Sequence, residues 1–258
     1  MTGGFAGAYD GRAWAAGPAR VYDVLAGAVA GCCPVDLDGA LVLDVGAGTG
    51  AATRAVRARG ARTVAADLSP AMLRAGEPGP AVVADATRLP FGPGVFDAVV
   101  AAFSMNHLPE PGLGLAEAAR VTRPGGAVVA STYAVDDTHP VKAVVERVAA
   151  AHGWVPPPWA EELKTRVLPI LGEPGRLAAE AAGAGLRGRV HRLEIPFDLT
   201  AAELVEWRLG MAQMTAFATA LDPRARARLV ADAVAELGAH PPLIRRVLVL
   251  AAIAGNHA

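Results

Sequence analysis

Residues Leu41–Gly50 have the sequence LVLDVGAGTG, an apolar run that ends in an acid and leads into three alternating glycines. The run predicts a buried strand, and the glycines predict a loop whose backbone takes left-handed conformations and approaches a ligand closely. A helix is expected from Ala51. This strand–loop–helix order is the one with which α/β proteins bind nucleotide-like cofactors.

Two further acids stand at the ends of the next predicted strands. Asp67 follows the apolar run of residues 62–66, and Asp85 follows residues 81–84. Ligands of open α/β sheets bind at the carboxyl ends of the strands. We therefore expect Asp44, Asp67 and Asp85 to line the same edge of the sheet as the glycine loop.

Strand and helix signals alternate along the rest of the chain. The strands are continuous runs of Val, Ala and Leu, which is typical of a parallel, doubly wound sheet buried on both faces. After residue 132 we expect helices that form a lid or substrate wall, and an antiparallel pair of strands at the sheet edge. The main predicted helices are Pro18–Ala30, Ala51–Arg59, Leu113–Val121, Val141–Ala151, Arg176–Ala184, Ala201–Ala220 and Pro223–Leu237, and the strands are Leu41–Val45, Arg62–Ala66, Ala81–Ala84, Phe96–Ala102, Ala127–Ser131, Gly188–Phe197 and Val247–Ala252.

Composition narrows the class of protein. The 258 residues are 53% hydrophobic and carry a formal net charge of −1, which suits one α/β domain and gives no broad attraction to nucleic acid or anionic membranes. Cys32 and Cys33 are adjacent, where a disulfide is strained, so a reducing compartment is favoured. With no signal peptide, membrane span or metal-ligand spacing, we expect a metal-free cytoplasmic protein, a monomer or homodimer. Abundant Ala, Gly, Val and Arg are typical of a GC-rich bacterial genome.

The motifs between residues 40 and 132 occur in the order and spacing of a known family. They are DVGAGTG (44–50), VAADLSPAML (64–73), ADA (84–86), LPF (89–91), FDAVV (96–100) and VTRPGG (121–126). In these motifs the sequence resembles the class I S-adenosylmethionine (SAM)-dependent methyltransferases, most of all the small-molecule branch that includes many natural-product enzymes. The resemblance implies a single domain with a Rossmann-like, seven-stranded, mostly parallel sheet and an antiparallel C-terminal edge strand. Its parts would be N-terminal cap helices (1–38), a SAM-binding core (40–132) and helical lid insertions (133–175 and 199–240).

The resemblance also implies how SAM would be held. Asp44 would accept a hydrogen bond from the ammonium group of its methionine part, and Asp67 would accept from both ribose hydroxyls. Leu68 would pack on the adenine, while Asp85 and the Ala86 amide would bond to its polar edge. The residues implied for the methionine part are Tyr9, Gly46, Ala47, Gly48, Gly50 and Phe103.

The glycine loop by itself leaves a dinucleotide fold open. Gly46–Ala51 satisfies G-x-G-x-x-[G/A], and Asp67 lies near the position of a ribose-binding acid. Two acids favour SAM, because Asp44 occupies a strand position that is generally apolar in dinucleotide folds and Asp85 suits an adenine. A second mononucleotide unit is also missing after the fifth predicted strand.

Methyl transfer is an in-line displacement, so the enzyme mainly positions the two reactants. His107, just after the fourth strand, is the candidate general base for an acceptor that must lose a proton, with a structural role as the alternative. The candidate substrate-binding residues, each with core packing as the alternative, are Trp14, Tyr133, His139, Trp207 and Met211.

These observations predict a SAM-dependent methyltransferase that acts on a small molecule, in the setting of secondary metabolism, and releases S-adenosylhomocysteine. Two alternatives remain. One is an enzyme of the same fold that uses the sulfonium for cyclisation or rearrangement, and the other is a SAM-binding protein without catalysis. The Ser104–His107 segment lacks the Asn/Asp-Pro-Pro-aromatic element of DNA amino-methylating enzymes.

Overall fold

The computed structural model describes residues 10–76 and 79–255 and contains one seven-stranded sheet. The sequence places strands where apolar runs occur, and the parallel strands end near the acids that the sequence analysis singled out. The strands are β1 (Leu41–Val45), β2 (Arg62–Asp67), β3 (Ala81–Val83), β4 (Phe96–Ala102), β5 (Thr122–Tyr133), β6 (Leu186–Phe197) and β7 (Leu243–Ala254).

The strand order is β3-β2-β1-β4-β5-β7-β6. Strands β1 to β5 pair in parallel, whereas β7 is antiparallel to both β5 and β6. The prediction of a mostly parallel, doubly wound sheet of seven strands is confirmed. The last strand is antiparallel, and it lies between β5 and β6, so β6 forms the edge. The chain order reverses between β1 and β4, and open α/β sheets bind ligands at such a point.

Both faces of the sheet are buried. In β4, Ala98 and Val100 pack in one hydrophobic core while Val99 and Ala101 pack in the other, and all four are fully buried. Successive residues of a strand point to opposite faces, so a strand covered on both sides must be apolar throughout. This explains the lack of polar alternation in the sequence.

The helices begin at signals that the sequence provides. Ser69 accepts a hydrogen bond from the Met72 amide to cap one helix, and Thr200 forms a capping box with Glu203 at another. The helices are α1 (Gly11–Ala16), α2 (Pro18–Gly31), α3 (Ala51–Arg57), α4 (Pro70–Ala75), α5 (Pro111–Val121), α6 (Pro140–Ala151), α7 (Pro158–Glu162), α8 (Leu168–Leu171), α9 (Pro174–Gly183), α10 (Ala201–Leu209), α11 (Ala212–Ala220) and α12 (Pro223–Leu237), with a 3-10 turn at Met105–His107 and a π-helical turn at Leu163–Val167. Across the described part of the chain, we find no helix that is both long and apolar enough to cross a bilayer.

The single helix predicted over Ala201–Ala220 is wrong, because two helices, α10 and α11, occupy this range. The break lies at Gly210, where a Cβ atom would stand 2.5 Å from Cδ of Pro18. Helix α2 therefore approaches the chain too closely here for any side chain. Such a tertiary contact leaves no mark on the helical periodicity.

Candidate cofactor and acceptor site

A cleft opens at the carboxyl ends of β1, β2 and β4, where the chain order of the sheet reverses. Its cavity volume is about 220 Å³, which is ligand-sized because one water needs only about 10–15 Å³. Most of the residues that the sequence analysis singled out are found in its lining. They are Trp14, Asp44, Gly46, Ala47, Gly48, Asp67, Leu68, Asp85, Ala86, Phe103 and His107.

The glycine loop is held in a conformation that other residues rarely adopt. Gly46 and Gly48 have φ values of 71° and 56°. A Cβ atom on Gly46 would stand 2.2 Å from Cβ of Ser104, whose hydroxyl donates a 2.7 Å hydrogen bond to the Val45 carbonyl. Glycine at position 46 therefore lets the ends of β1 and β4 come together beneath the cleft.

Asp67 links the glycine loop to the end of β2. Its Oδ2 accepts a 2.8 Å hydrogen bond from the Gly48 amide, and its Oδ1 accepts a 2.7 Å bond from the Ser69 amide. Each carboxylate oxygen has a second lone pair, so both oxygens remain able to accept from a ligand's hydroxyl groups. Burial raises the pKa of Asp67, and the two amide bonds oppose that rise.

Asp44 is a buried acid at the floor of the cleft, only 1% exposed. Burial raises its pKa to about 6, although a 2.6 Å hydrogen bond from the Thr53 hydroxyl stabilises the charged form. A carboxylate buried in this way gains from a nearby cation. The site therefore has a built-in preference for a positively charged group beside Asp44.

Asp85 and Ala86 lie on the other side of the cleft, next to the end of β3. Oδ1 of Asp85 accepts two 2.8 Å hydrogen bonds, from the amide and from the hydroxyl of Thr87. Leu68 is 39% exposed, which is unusual for a large apolar side chain, and it lies in the cleft lining. This end of the cleft combines an apolar surface with a fixed acceptor, as a planar heterocycle requires.

Phe103 follows β4 in a left-handed conformation, with φ of 56°. Its amide donates to the carbonyl and the hydroxyl of Ser131, at 3.2 and 3.1 Å. A bulky residue at positive φ stores strain, and such residues cluster at functional sites. The strained residue is the one whose ring lines the cleft.

His107 closes the 3-10 turn that follows and also lines the cleft. Burial lowers its pKa to about 4, while a hydrogen bond with the Phe103 backbone opposes the shift. The imidazole is therefore neutral at physiological pH. The neutral ring has a nitrogen that can accept a proton, but its affinity for the proton is weak.

Two of the predicted substrate residues belong to a buried cluster around Arg245 instead of the cleft. The Arg245 guanidinium lies 3.9 Å from the centre of the Tyr133 ring and 4.8 Å from the Trp207 ring. Tyr133 also stacks on Phe103, with ring centroids 4.7 Å apart, and Trp207 is only 1% exposed. Neither lines the cleft. Both rings cover a buried cation, so the predicted contact of Tyr133 and Trp207 with substrate has no support from the cleft lining and stays a prediction.

His139 and Met211 also lie away from the cleft. Nδ1 of His139 accepts from the Val141 amide at 3.2 Å and so caps α6, and Nε2 lies 2.9 Å from the Pro241 carbonyl. Met211 is half-buried at the start of α11 and packs against the core. Both residues contribute to the fold, and their assignment to substrate binding stays a prediction without support from the cleft lining.

Two predicted cofactor residues need separate mention. Gly50 does not line this cleft, and its φ of 85° instead starts α3. Tyr9 lies outside the described residues. The remaining predicted roles in binding and catalysis stay predictions.

One wall of the cleft comes from the segment 133–175, which was expected to form a lid or substrate wall, but none of its lining residues was predicted. Helix α7 and the π-helical turn that follows contribute Trp159, Glu162, Leu163, Arg166 and Val167 to the lining. The available signal was the proline at position 169, four residues after Thr165. A proline inside a helix cannot donate to the carbonyl four residues earlier, which distorts the helix there.

Comparison with known proteins gives a consistent picture of the core. Residues 43–130 match a family model described as a methyltransferase domain. The demethylmenaquinone methyltransferase of Mycolicibacterium vanbaalenii is 49% identical over 94 residues, which make up 36% of this chain and 41% of that protein. The chain thus matches about two fifths of the length of such curated relatives.

Solved structures extend the likeness over most of the chain. The YcgJ protein of Bacillus subtilis superposes with a TM-score of 0.58 at 14% identity, covering 91% of this chain and 99% of that one. Phosphoethanolamine N-methyltransferase 2 of Haemonchus contortus, solved in complex with SAM, gives a TM-score of 0.55 at 19% identity, covering 89% of this chain and 52% of that one. At these identities the likeness establishes a shared fold.

Proposed function

We propose that this chain, whose residues 43–130 form a class I methyltransferase domain, binds SAM and transfers its methyl group to a small-molecule acceptor. One observation carries the proposal. Asp44, Asp67 and Asp85 line a single cleft together with the glycine loop. Each acid is positioned for a different part of one ligand.

The three acids match the polar groups of SAM in order along the cleft. Asp44, whose buried carboxyl favours a nearby cation, takes the ammonium group. Asp67 takes the ribose hydroxyls on the free lone pairs of its two oxygens. Asp85 and the Ala86 amide take the adenine edge, and Leu68 supplies an apolar face. When bound, SAM supplies the electrophilic methyl group.

The acceptor lies on the Phe103 and His107 side of the cleft. Holding methyl donor and acceptor in line removes on the order of 7–11 kcal/mol from the barrier. Trp14, whose ring packs at a tilt against Tyr22 with centroids 4.7 Å apart, supplies an apolar wall for the acceptor. His107 is the proposed proton acceptor, and its low proton affinity suits an acceptor molecule that is already acidic.

The acceptor and the biological setting belong to the same proposal. The small-molecule branch is supported by the likeness to demethylmenaquinone methyltransferases, which are bacterial proteins. A cytoplasmic enzyme of secondary metabolism, monomeric or homodimeric, fits the neutral charge and the absence of a basic surface in the composition.

The experiment measures cofactor binding and methyl transfer separately. Calorimetric titration with S-adenosylhomocysteine tests binding, and absence of binding would refute the proposal. Incubation with methyl-labelled SAM and a panel of quinones, phenols, carboxylic acids and amines then tests transfer. Label in an acceptor with release of S-adenosylhomocysteine supports it. Methylthioadenosine, or SAM left unchanged while the acceptor rearranges, points to the alternative sulfonium chemistries instead.

A further inference from the structure

We propose that Arg166 selects the acceptor, and that this acceptor is an apolar ring compound that carries an anionic oxygen. The inference rests on the proposed methyl transfer and concerns the acceptor half of the same cleft. Among the described residues, Arg166 is the only Arg or Lys side chain in the cleft lining.

Arg166 shares the cleft face of its helical segment with three neighbours. Glu162, Leu163, Arg166 and Val167 are spaced as i, i+1, i+4 and i+5, which places them on one side of a helix, and all four line the cleft. The segment is locally widened, because the Leu168 amide donates to the Leu163 carbonyl, five residues back, and Pro169 has no amide to offer Thr165.

The turn is anchored beside the proposed reaction centre. Val167 is 1% exposed and packs in the same core as Met105, which belongs to the 3-10 turn that ends at His107. The π-helical turn contacts the 3-10 turn and so lies on the His107 side of the cleft, and Arg166 is part of its lining. The three acids proposed for the cofactor lie on the glycine-loop side and on the adenine side.

The chemistry of this wall is an apolar surface with one cation. Trp159, Leu163, Val167 and Phe103 supply aromatic and aliphatic contact, and Arg166 supplies a planar fork of donors suited to a carboxylate or phenolate. A neutral His107 adds no competing positive charge. An acceptor that arrives as an anion also needs no strong base, which agrees with the weak basicity of His107.

In the structure Arg166 already holds an anion. Its Nη1 lies 2.6 Å from Oε1 of Glu162, and the two side chains are 64% and 48% exposed. Exposed pairs of this spacing contribute little to stability. Because the pair is weak, an incoming anion can displace Glu162 from the guanidinium with little loss of free energy.

The test compares two probes that differ only in charge, 2-naphthoate and 2-naphthamide, titrated into the full chain saturated with S-adenosylhomocysteine. We expect the wild type to bind naphthoate about tenfold more tightly than naphthamide, as one charge-assisted interaction provides. Arg166→Gln abolishes this preference. Glu162→Gln increases naphthoate affinity severalfold, because it removes the competing carboxylate.

Lys164→Gln is the matched control. Lys164 lies on the same turn, is 70% exposed and does not line the cleft, so its loss leaves the preference intact. The proposal would be overturned if the wild type did not prefer naphthoate. It would also be overturned if Arg166→Gln and Lys164→Gln lost the preference for naphthoate to the same extent. A loss of S-adenosylhomocysteine affinity in Arg166→Gln would also overturn it, by assigning Arg166 to the cofactor. Failure of cofactor binding in the wild type itself would instead refute the proposed function.

Discussion

The Gly48 amide donates a 2.8 Å hydrogen bond to Oδ2 of Asp67, so the end of β2 fixes the glycine loop of β1. The same carboxylate is proposed to bind the ribose. Asp67→Asn replaces one acceptor oxygen by a donor, which then faces either an amide or a ribose hydroxyl. We expect affinity for S-adenosylhomocysteine to fall about 10- to 100-fold, as for a lost charged hydrogen bond. Isothermal titration calorimetry measures the change.

Asp97→Asn is the control for this prediction. Asp97 also accepts a backbone amide, that of Leu41 at 2.7 Å, but it lies at the amino end of β4, away from the cleft. Its loss is expected to leave cofactor affinity unchanged. Equal losses in both variants would mean that the effect is on the fold and not on the ligand.

Asp44 presents a conflict between stability and binding. Burial raises the pKa of its carboxyl from 3.8 to about 6, so the folded state disfavours the charged form. This cost is fully present above about pH 6 and is relieved as the pH falls towards 4. We expect Asp44→Asn to raise the thermal midpoint at about pH 7.5 by several degrees, and the gain to shrink at about pH 5.

The same substitution removes the proposed partner of the ammonium group. The Thr53 hydroxyl can still donate to an asparagine oxygen, so the floor of the cleft stays satisfied. We expect S-adenosylhomocysteine affinity to fall at least about tenfold while the protein becomes more stable. A less stable variant, or one with unchanged affinity, would contradict the assigned role of Asp44.

The cofactor side of the cleft was predictable because its geometry is local. Asp44 and Asp67 lie in the last residues of β1 and β2, Asp85 comes two residues after β3, and parallel strands end at one edge of the sheet. The position of each acid relative to the end of its strand therefore determines where its carboxylate lies on the sheet edge. The positive φ at Gly46 was likewise expected from the tight turn after β1.

The acceptor side was not predictable in this way because distant residues decide it. Tyr133 and Trp207 look like pocket aromatics until Arg245, more than a hundred residues from Tyr133 along the chain, is placed between their rings. Arg166 was missed for a different reason. Helical spacing places it on one face with Glu162 and Leu163, but nothing in the sequence shows which face of this short helix meets the cleft.

The buried pair of Asp137 and Arg245 is predicted to stabilise the fold below the cleft. Burial raises the pKa of Asp137, but the Arg245 guanidinium, bound at 3.0 and 2.7 Å, together with Lys142 and the Arg246 amide, leaves the pKa below its usual value. Asp137→Asn leaves the Arg245 charge without its counter-ion. We expect a loss of about 3–5 kcal/mol, which lowers the thermal midpoint by roughly 10 °C.

The neighbouring residue provides the control for that change. Asp136 is exposed and pairs with Arg192 at the surface, so Asp136→Asn should leave the midpoint nearly unchanged. The stabilisation from Asp137 is present above the carboxyl's unfolded pKa and is lost as the pH falls through its lower folded value. A midpoint that does not respond to Asp137→Asn under neutral conditions would contradict the assigned role of the pair.

His107 tests whether the reaction needs a base at all. Burial lowers its pKa to about 4, so the ring is neutral over the whole physiological range and takes up a proton only weakly. With an acceptor identified by methyl labelling, we expect His107→Gln to lower kcat by less than about 100-fold. The wild-type rate should show no inflection near pH 6.5, the ordinary imidazole value. A loss of about 1000-fold or more, together with such an inflection, would instead mean that His107 is a strong general base, whose proton affinity rises when the acceptor binds, and not a weak proton acceptor.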